Sequence, residues 1–175
     1  IEGKNTITLN NSNLTANNTK CNGNATFLDT IMIYQSMSGD ADSGTSSFTM
    51  NGGTLTSKNG HIFHVTNTNA VINLNGVTLK NEDSSNILIS VCADGWSGAS
   101  NIATLNAKSQ VLEGTILVGS DSTLTLNLTN NSSFEGTVSG QITNAKDKTI
   151  STEVGTVTVK IDNTSTWTLT GNTYI

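Results

Sequence analysis

Two histidines, a few acids, two cysteines and two aromatics are the residues of this chain best equipped for chemistry. His61 and His64 stand three apart in Gly60-His61-Ile62-Phe63-His64-Val65. Side chains three apart on a regular strand point to opposite faces, so the pair can share a metal only across a bulge. With Phe63 and Val65 inward, His61 joins them and His64 faces solvent. Zinc would need further ligands, and no Cys or acid stands near in spacing. Asp40 and Asp42, in Asp40-Ala41-Asp42-Ser43-Gly44, alternate on a Gly/Ser loop and are the candidate Ca2+ ligands. The third acid and distal Glu of a full calcium loop are missing, so a plain loop with no cofactor is the favoured reading. Glu82, Asp83 and Asp94 are candidates for the carboxylate pair of a glycoside hydrolase. No motif selects a pair among them, and solvated acids at turns are the better expectation. Cys21 and Cys92 fit either one disulfide or two buried thiols, and their spacing leaves both open.

Ala93-Asp94-Gly95-Trp96-Ser97-Gly98 places a tryptophan on a Gly/Ser loop. A flat indole there can stack on a sugar or anchor a protein contact; folding back over the scaffold is the structural alternative. Tyr34, just before the acidic loop, has the same two readings. Trp96, Tyr34 and Asp94 form the candidate ligand-binding set.

Something must position these residues, and the repeat shows what. The 175 residues include 24 Asn, 20 Ser and 29 Thr, no proline and no arginine. Charged residues are 12% and hydrophobic ones 34%, both below ordinary globular values. Apolar–x–apolar–Asn recurs at Ile7–Asn10, Phe48–Asn51, Ile72–Asn75, Ala103–Asn106 and Leu124–Asn127, and Val157–Lys160 keeps the strand without the Asn. Leu14, Leu55 and Leu79 follow the first three copies at one fixed distance. Successive copies lie 41, 24, 31, 21 and 33 residues apart. A parallel β-helix with coils of about 20–25 residues and loops of variable length accommodates this set. The 41-residue interval holds either two coils or one coil with a long excursion. Period-two alternation marks strands throughout, and no stretch has helical spacing. The expectation is an all-β solenoid of about 5–7 coils with loop insertions, one domain over 1–175.

Stacked coils put equivalent residues one strand spacing apart. Asn10, Asn51, Asn75, Asn106 and Asn127 are therefore expected to form a structural amide ladder at a turn, where Asn also tolerates a left-handed backbone. Phe134 and Trp167 share the parity of the apolar residues before them and belong to the core, a sugar platform being the alternative for Trp167. Thr-x-Thr pairs at Thr6/Thr8, Thr54/Thr56, Thr123/Thr125 and Thr156/Thr158 suggest an ice-binding array as a minor alternative, but they fall at different places in the repeat with no fixed register.

Thr123 to Ile175, with LTLNLTNNSSFEG and VTVKIDNTSTWTLTGNTYI, together with VLEGTILVGSDSTLTLN before it, resembles the β-helical passenger domains of autotransporter-type adhesins and related surface proteins of gut bacteria. The resemblance implies a right-handed parallel β-helix that is secreted or held at the cell surface. It implies a non-catalytic adhesin whose partners are host or bacterial surface glycans or proteins, with self-association as a further mode. The family has no universal site motif, so no residue role is carried over. A start at Ile1 within a coil suggests a segment of a longer solenoid. The rival class is a polysaccharide-active enzyme of lyase or hydrolase type, or its carbohydrate-binding relative; the arginine base of the commonest lyase chemistry is missing. A net charge of −5 without a basic patch argues against nucleic acid, and the apolar runs are too short for membrane insertion.

Overall fold

Strands run where apolar residues alternate with Thr, Ser and Asn, and corners fall where a residue takes a left-handed backbone. The computed structural model describes all 175 residues, Ile1–Ile175. Its elements are β1 (Thr6–Ala16), β2 (Asp29–Tyr34), β3 (Thr45–Ser57), β4 (His61–Thr66), β5 (Asn69–Asn75), β6 (Thr78–Asn81), β7 (Ile87–Val91), β8 (Asn101–Lys108), β9 (Val111–Val118), β10 (Ser122–Thr129), β11 (Ser133–Ser139), β12 (Ile142–Thr143), β13 (Thr149–Ser151), β14 (Thr156–Ile161) and β15 (Thr166–Leu169). There is no helix.

One parallel sheet has the order β1-β3-β5-β8-β10-β14, with β6 added beside the second half of β3. The other has the order β2-β4-β7-β9-β11-β15, and β12 pairs with β13 in an antiparallel ribbon. The chain alternates between the two parallel sheets, so both ladders follow sequence order. This all-β arrangement of parallel strands in stacked sheets is consistent with a β-solenoid.

Inward columns build the core between the sheets. Ile7, Phe48, Ile72, Leu105, Leu126 and Val159 align, as do Leu9, Met50, Leu74, Ala107, Leu128 and Ile161. Opposite them stand Ile31, Phe63, Ile89, Ile116 and Val138. Twenty-six buried residues form this cluster, each large one contributing about 1.5–3 kcal/mol relative to exposure. Phe134 is fully buried, and Trp167 stacks on it at 5.5 Å, packing against the same cluster. The Leu14–Leu55–Leu79 row aligns as the sequence spacing suggested.

The register decides one open alternative, corrects one expectation and bears out a third. Ile7 pairs directly with Phe48, so the 41-residue interval is one level carrying two excursions, over 17–28 and 35–44. Asn10, Asn51 and Asn75 are in register, but Asn75 pairs with Lys108, and Asn106 pairs with Asn73. The corner causes this slip of two residues. Asn11, Gly52, Gly76, Ser109 and Asn130 all have φ between 46° and 64° and stack as one left-handed column. Aligning Gly76 with Ser109 brings Asn73 opposite Asn106. The ladder asparagines precede this column and lie in strands, so it is their successors that take the left-handed backbone. Finally, the Thr-x-Thr pairs share no common register, as their spacing suggested: Thr6 aligns with Thr125 and Thr158, so Thr6/Thr8 is offset by two residues from Thr123/Thr125 and Thr156/Thr158. Thr6, Ser47, Val71, Thr104, Thr125 and Thr158 form one outer column, and Thr8, Thr49, Asn73, Asn106, Asn127 and Lys160 the next. Thr123 and Thr156 lie in a third column, and Thr54/Thr56 lies on the extension of β3.

Candidate functional site

The amide ladder runs in one direction. Asn51 Nδ2 donates to Asn10 Oδ1 at 2.7 Å and Asn75 Nδ2 to Asn51 Oδ1 at 2.5 Å. After the slip, Asn106 Nδ2 donates to Asn73 Oδ1 at 2.8 Å and Asn127 Nδ2 to Asn106 Oδ1 at 2.7 Å.

The outer face of the second sheet holds the chemistry-bearing cluster. Ile62 and Phe63, successive residues of β4, both enter the main core, as do Leu88 and Ile89 of β7. The ladder between β7 and β9 shifts at that level, between Ile87 and Ile89. Two inward residues in a row break the period of two, so His61 and His64 emerge on the same outer side. The expectation that His61 points inward and His64 to solvent is therefore wrong. His64 is fully buried, because the 17–28 excursion lays Phe27 over it with ring centroids 4.8 Å apart. Phe27, Ile87, Cys92, Leu117 and Ile142 form a second small core there.

Beneath this roof a polar chain is closed. Nδ1 of His61 and Nδ1 of His64 each lie 2.7 Å from Ser90 Oγ. Nε2 of His64 lies 3.2 Å from Asp94 Oδ2, and Thr26 donates to Asp94 Oδ1 from its N–H (2.8 Å) and its hydroxyl (2.7 Å). One ordering satisfies every atom: His61 Nδ1–H to Ser90, the Ser90 hydroxyl to His64, and His64 Nε2–H to Asp94. Burial by itself would raise the Asp94 carboxyl. Hydrogen bonds from His64 and Thr26 outweigh it and hold the group below the usual carboxylate range. Burial, helped by His64, pulls His61 down to about 3. Burial also lifts Asp29, in register with His61, to about 6. Burial and then the Asp94 charge push the Cys92 thiol up; Cys21 and Cys92 are both free.

Ser, His and Asp in sequence are the residue types of a nucleophilic relay, but Ser90, His64 and the Asp94 side chain have no accessible surface. As folded, the chain ties the 17–28 excursion and the 93–100 loop onto the sheet. Asp94 is thus a buried anchor pointing away from solvent, contrary to its reading as a solvated turn acid. Ser90, Thr26 and Phe27 carry this cluster with no sequence signal beyond their types.

Trp96 and Tyr34 do come together, with ring centroids 4.6 Å apart and planes inclined by 35°. Both are half-buried, so the indole lies over the tyrosine and keeps an accessible side. Asn67, buried and left-handed at φ 54°, joins the two loops that flank the pair. Its Nδ2 donates to the carbonyls of Gln35 (2.6 Å) and Ser97 (3.3 Å), and its Oδ1 accepts from Ala99 N–H (2.7 Å). Asp40 accepts from the Ser38 and Ser36 hydroxyls, and Asp42 gives its main-chain carbonyl to Lys4. Nowhere do three or more His, Cys, Asp or Glu side chains gather closely enough to hold a metal ion. No helix is long and apolar enough to cross a membrane.

No family profile, curated protein or solved structure matches this chain.

Proposed function

We propose that the protein is a non-catalytic, surface-binding module of adhesin type, secreted or displayed at a cell surface. The carrying observation is the Tyr34–Trp96 pair, two aromatics held side by side on loops that one buried asparagine clamps. Clamping removes much of the ordering cost of binding, and the accessible aromatic surface suits the apolar face of a sugar. We take the backbone as a right-handed solenoid of six coils, because crossovers between parallel strands are right-handed in about 98% of cases. The long outer face of Thr, Ser and Asn suits lateral self-association. A glycan array with the purified protein tests the site. Trp96→Ala is expected to remove glycan binding while leaving the far-ultraviolet circular dichroism unchanged; retained binding refutes the site, and polymer cleavage by the purified protein refutes the non-catalytic reading.

A second reading is favoured by one outer column, Thr6, Ser47, Val71, Thr104, Thr125 and Thr158, in which five of six residues carry a hydroxyl. Hydroxyls and methyls repeated at strand spacing along one column are what an ice surface would meet. Thermal hysteresis and ice recrystallisation assays separate the two; activity lost on Thr125→Tyr would establish the ice-binding face, and an inactive protein would eliminate it.

A further inference from the structure

A concavity of about 580 Å3 lies on the flank between β6 and the start of β9. It exists because a strand stops. The row Leu14–Leu55–Leu79 is built by β1, β3 and β6. At the next level the chain runs from Lys108 through Ser109 and Gln110 straight into β9, so nothing extends the row. β6 therefore pairs with β3 alone, and its other edge borders the groove. Leu79 is left half-buried and Val111 59% exposed.

The fold treats this edge unevenly. Gln110, itself buried, uses its side-chain amide as a one-residue strand partner. Its Oε1 accepts from Val77 N–H at 2.8 Å, and its Nε2 donates to the Val77 carbonyl at 2.7 Å. No side chain does the same for the backbone of Thr78–Asn81. An uncovered edge of this kind is a template for another strand. The charged residues lining the groove are Asp83 and Glu113, and no lysine lines it. Asp83 is committed to Gly60 N–H and to Ser85. Glu113 has no partner and stands in register with Glu135 on the adjacent strand, two like charges side by side. Such a pairing costs stability unless a cation lies between or beside the two.

The geometry points to an extended peptide strand as the occupant of this groove, added to the free edge of β6. Its apolar side chains continue the leucine row over Val111, and an adjacent lysine or arginine meets Glu113 and Glu135. Main-chain hydrogen bonds supply the affinity and alternate side chains the selectivity. The site is separate from the Tyr34–Trp96 pair and stands whether or not that pair binds a glycan.

The test uses an end-blocked six-residue peptide of alternating valine and lysine, followed by calorimetry and by amide shifts in nuclear magnetic resonance. Expected are shifts confined to Thr78–Asn81 and Val111–Glu113. Methylating alternate peptide nitrogens should weaken binding at least tenfold, and replacing the lysines by glutamates should abolish it. Val111→Lys, at an exposed position that leaves folding intact, should also weaken binding about tenfold. Equal binding of the methylated peptide, shifts elsewhere, or an unaffected Val111→Lys variant overturns the proposal. So does a dimer that occupies this edge with a second copy, or an oligosaccharide that shifts these amides where the peptide does not.

Discussion

Replacing Asp29 by Asn should make the protein more stable at pH 7.5 and more sensitive to acid. Burial lifts the Asp29 carboxyl from 3.8 to about 6, so the folded state favours the protonated form. Its contribution is complete below about pH 4 and is lost as pH rises through about 6. The shift of about two units corresponds to about 3 kcal/mol at 1.36 kcal/mol per unit. His61 has the opposite sign. Its folded value falls from 6.5 to about 3, so its contribution is present above about 6.5 and declines as pH falls. Between pH 7 and pH 4 that loss is also about 3 kcal/mol. In the wild type the two slopes largely cancel, leaving urea stability nearly flat over this interval. Asp29→Asn removes one of them. The variant should gain about 3 kcal/mol at pH 7.5 and then lose about 3 kcal/mol on acidification to pH 4. His61→Asn, which keeps a donor near the position of Nδ1, should instead gain stability on acidification. Urea titrations followed by circular dichroism at several pH values measure these slopes. Parallel wild-type and Asp29→Asn curves from pH 4 to 7 would refute the assigned burial of this carboxyl.

Asn51 both donates and accepts within the ladder, and at about 0.5–1.5 kcal/mol per net hydrogen bond, Asn51→Ala should cost about 1–3 kcal/mol in urea unfolding. The same change at exposed Asn163, outside the ladder, should cost measurably less. Phe63, fully buried against Phe48, should cost about 3–5 kcal/mol on truncation to Ala, measured by the same titration.

Much of the scaffold was legible locally. Alternation at Ile7/Leu9, Leu124/Leu126/Leu128 and Val157/Val159 identifies strands because a strand shows alternate residues to opposite faces, whatever lies beyond it. The leucine row and the Phe134–Trp167 stack followed from equal spacing within equal turns. The slip at Asn73 was not legible: Ile72-Asn73-Leu74-Asn75 offers two asparagines of the same parity, and the left-handed corner at Gly76 and Ser109 chooses between them. The paired histidines were misread for a similar reason. Parity holds only while the period of two holds, and Ile62-Phe63 breaks it.

The sequence by itself determined the strand class, the inward columns and the absence of helix, because these depend on side-chain alternation along a few residues. Only the tertiary structure decided that His64 and Asp94 are buried and that Tyr34 meets Trp96. It alone also left β6 with a free edge. Each of these depends on which distant excursion covers a face: Phe27 lies 37 residues before His64, and Trp96 lies 62 after Tyr34. Burial is a property of neighbours in space, and no local pattern encodes which loop will roof a strand.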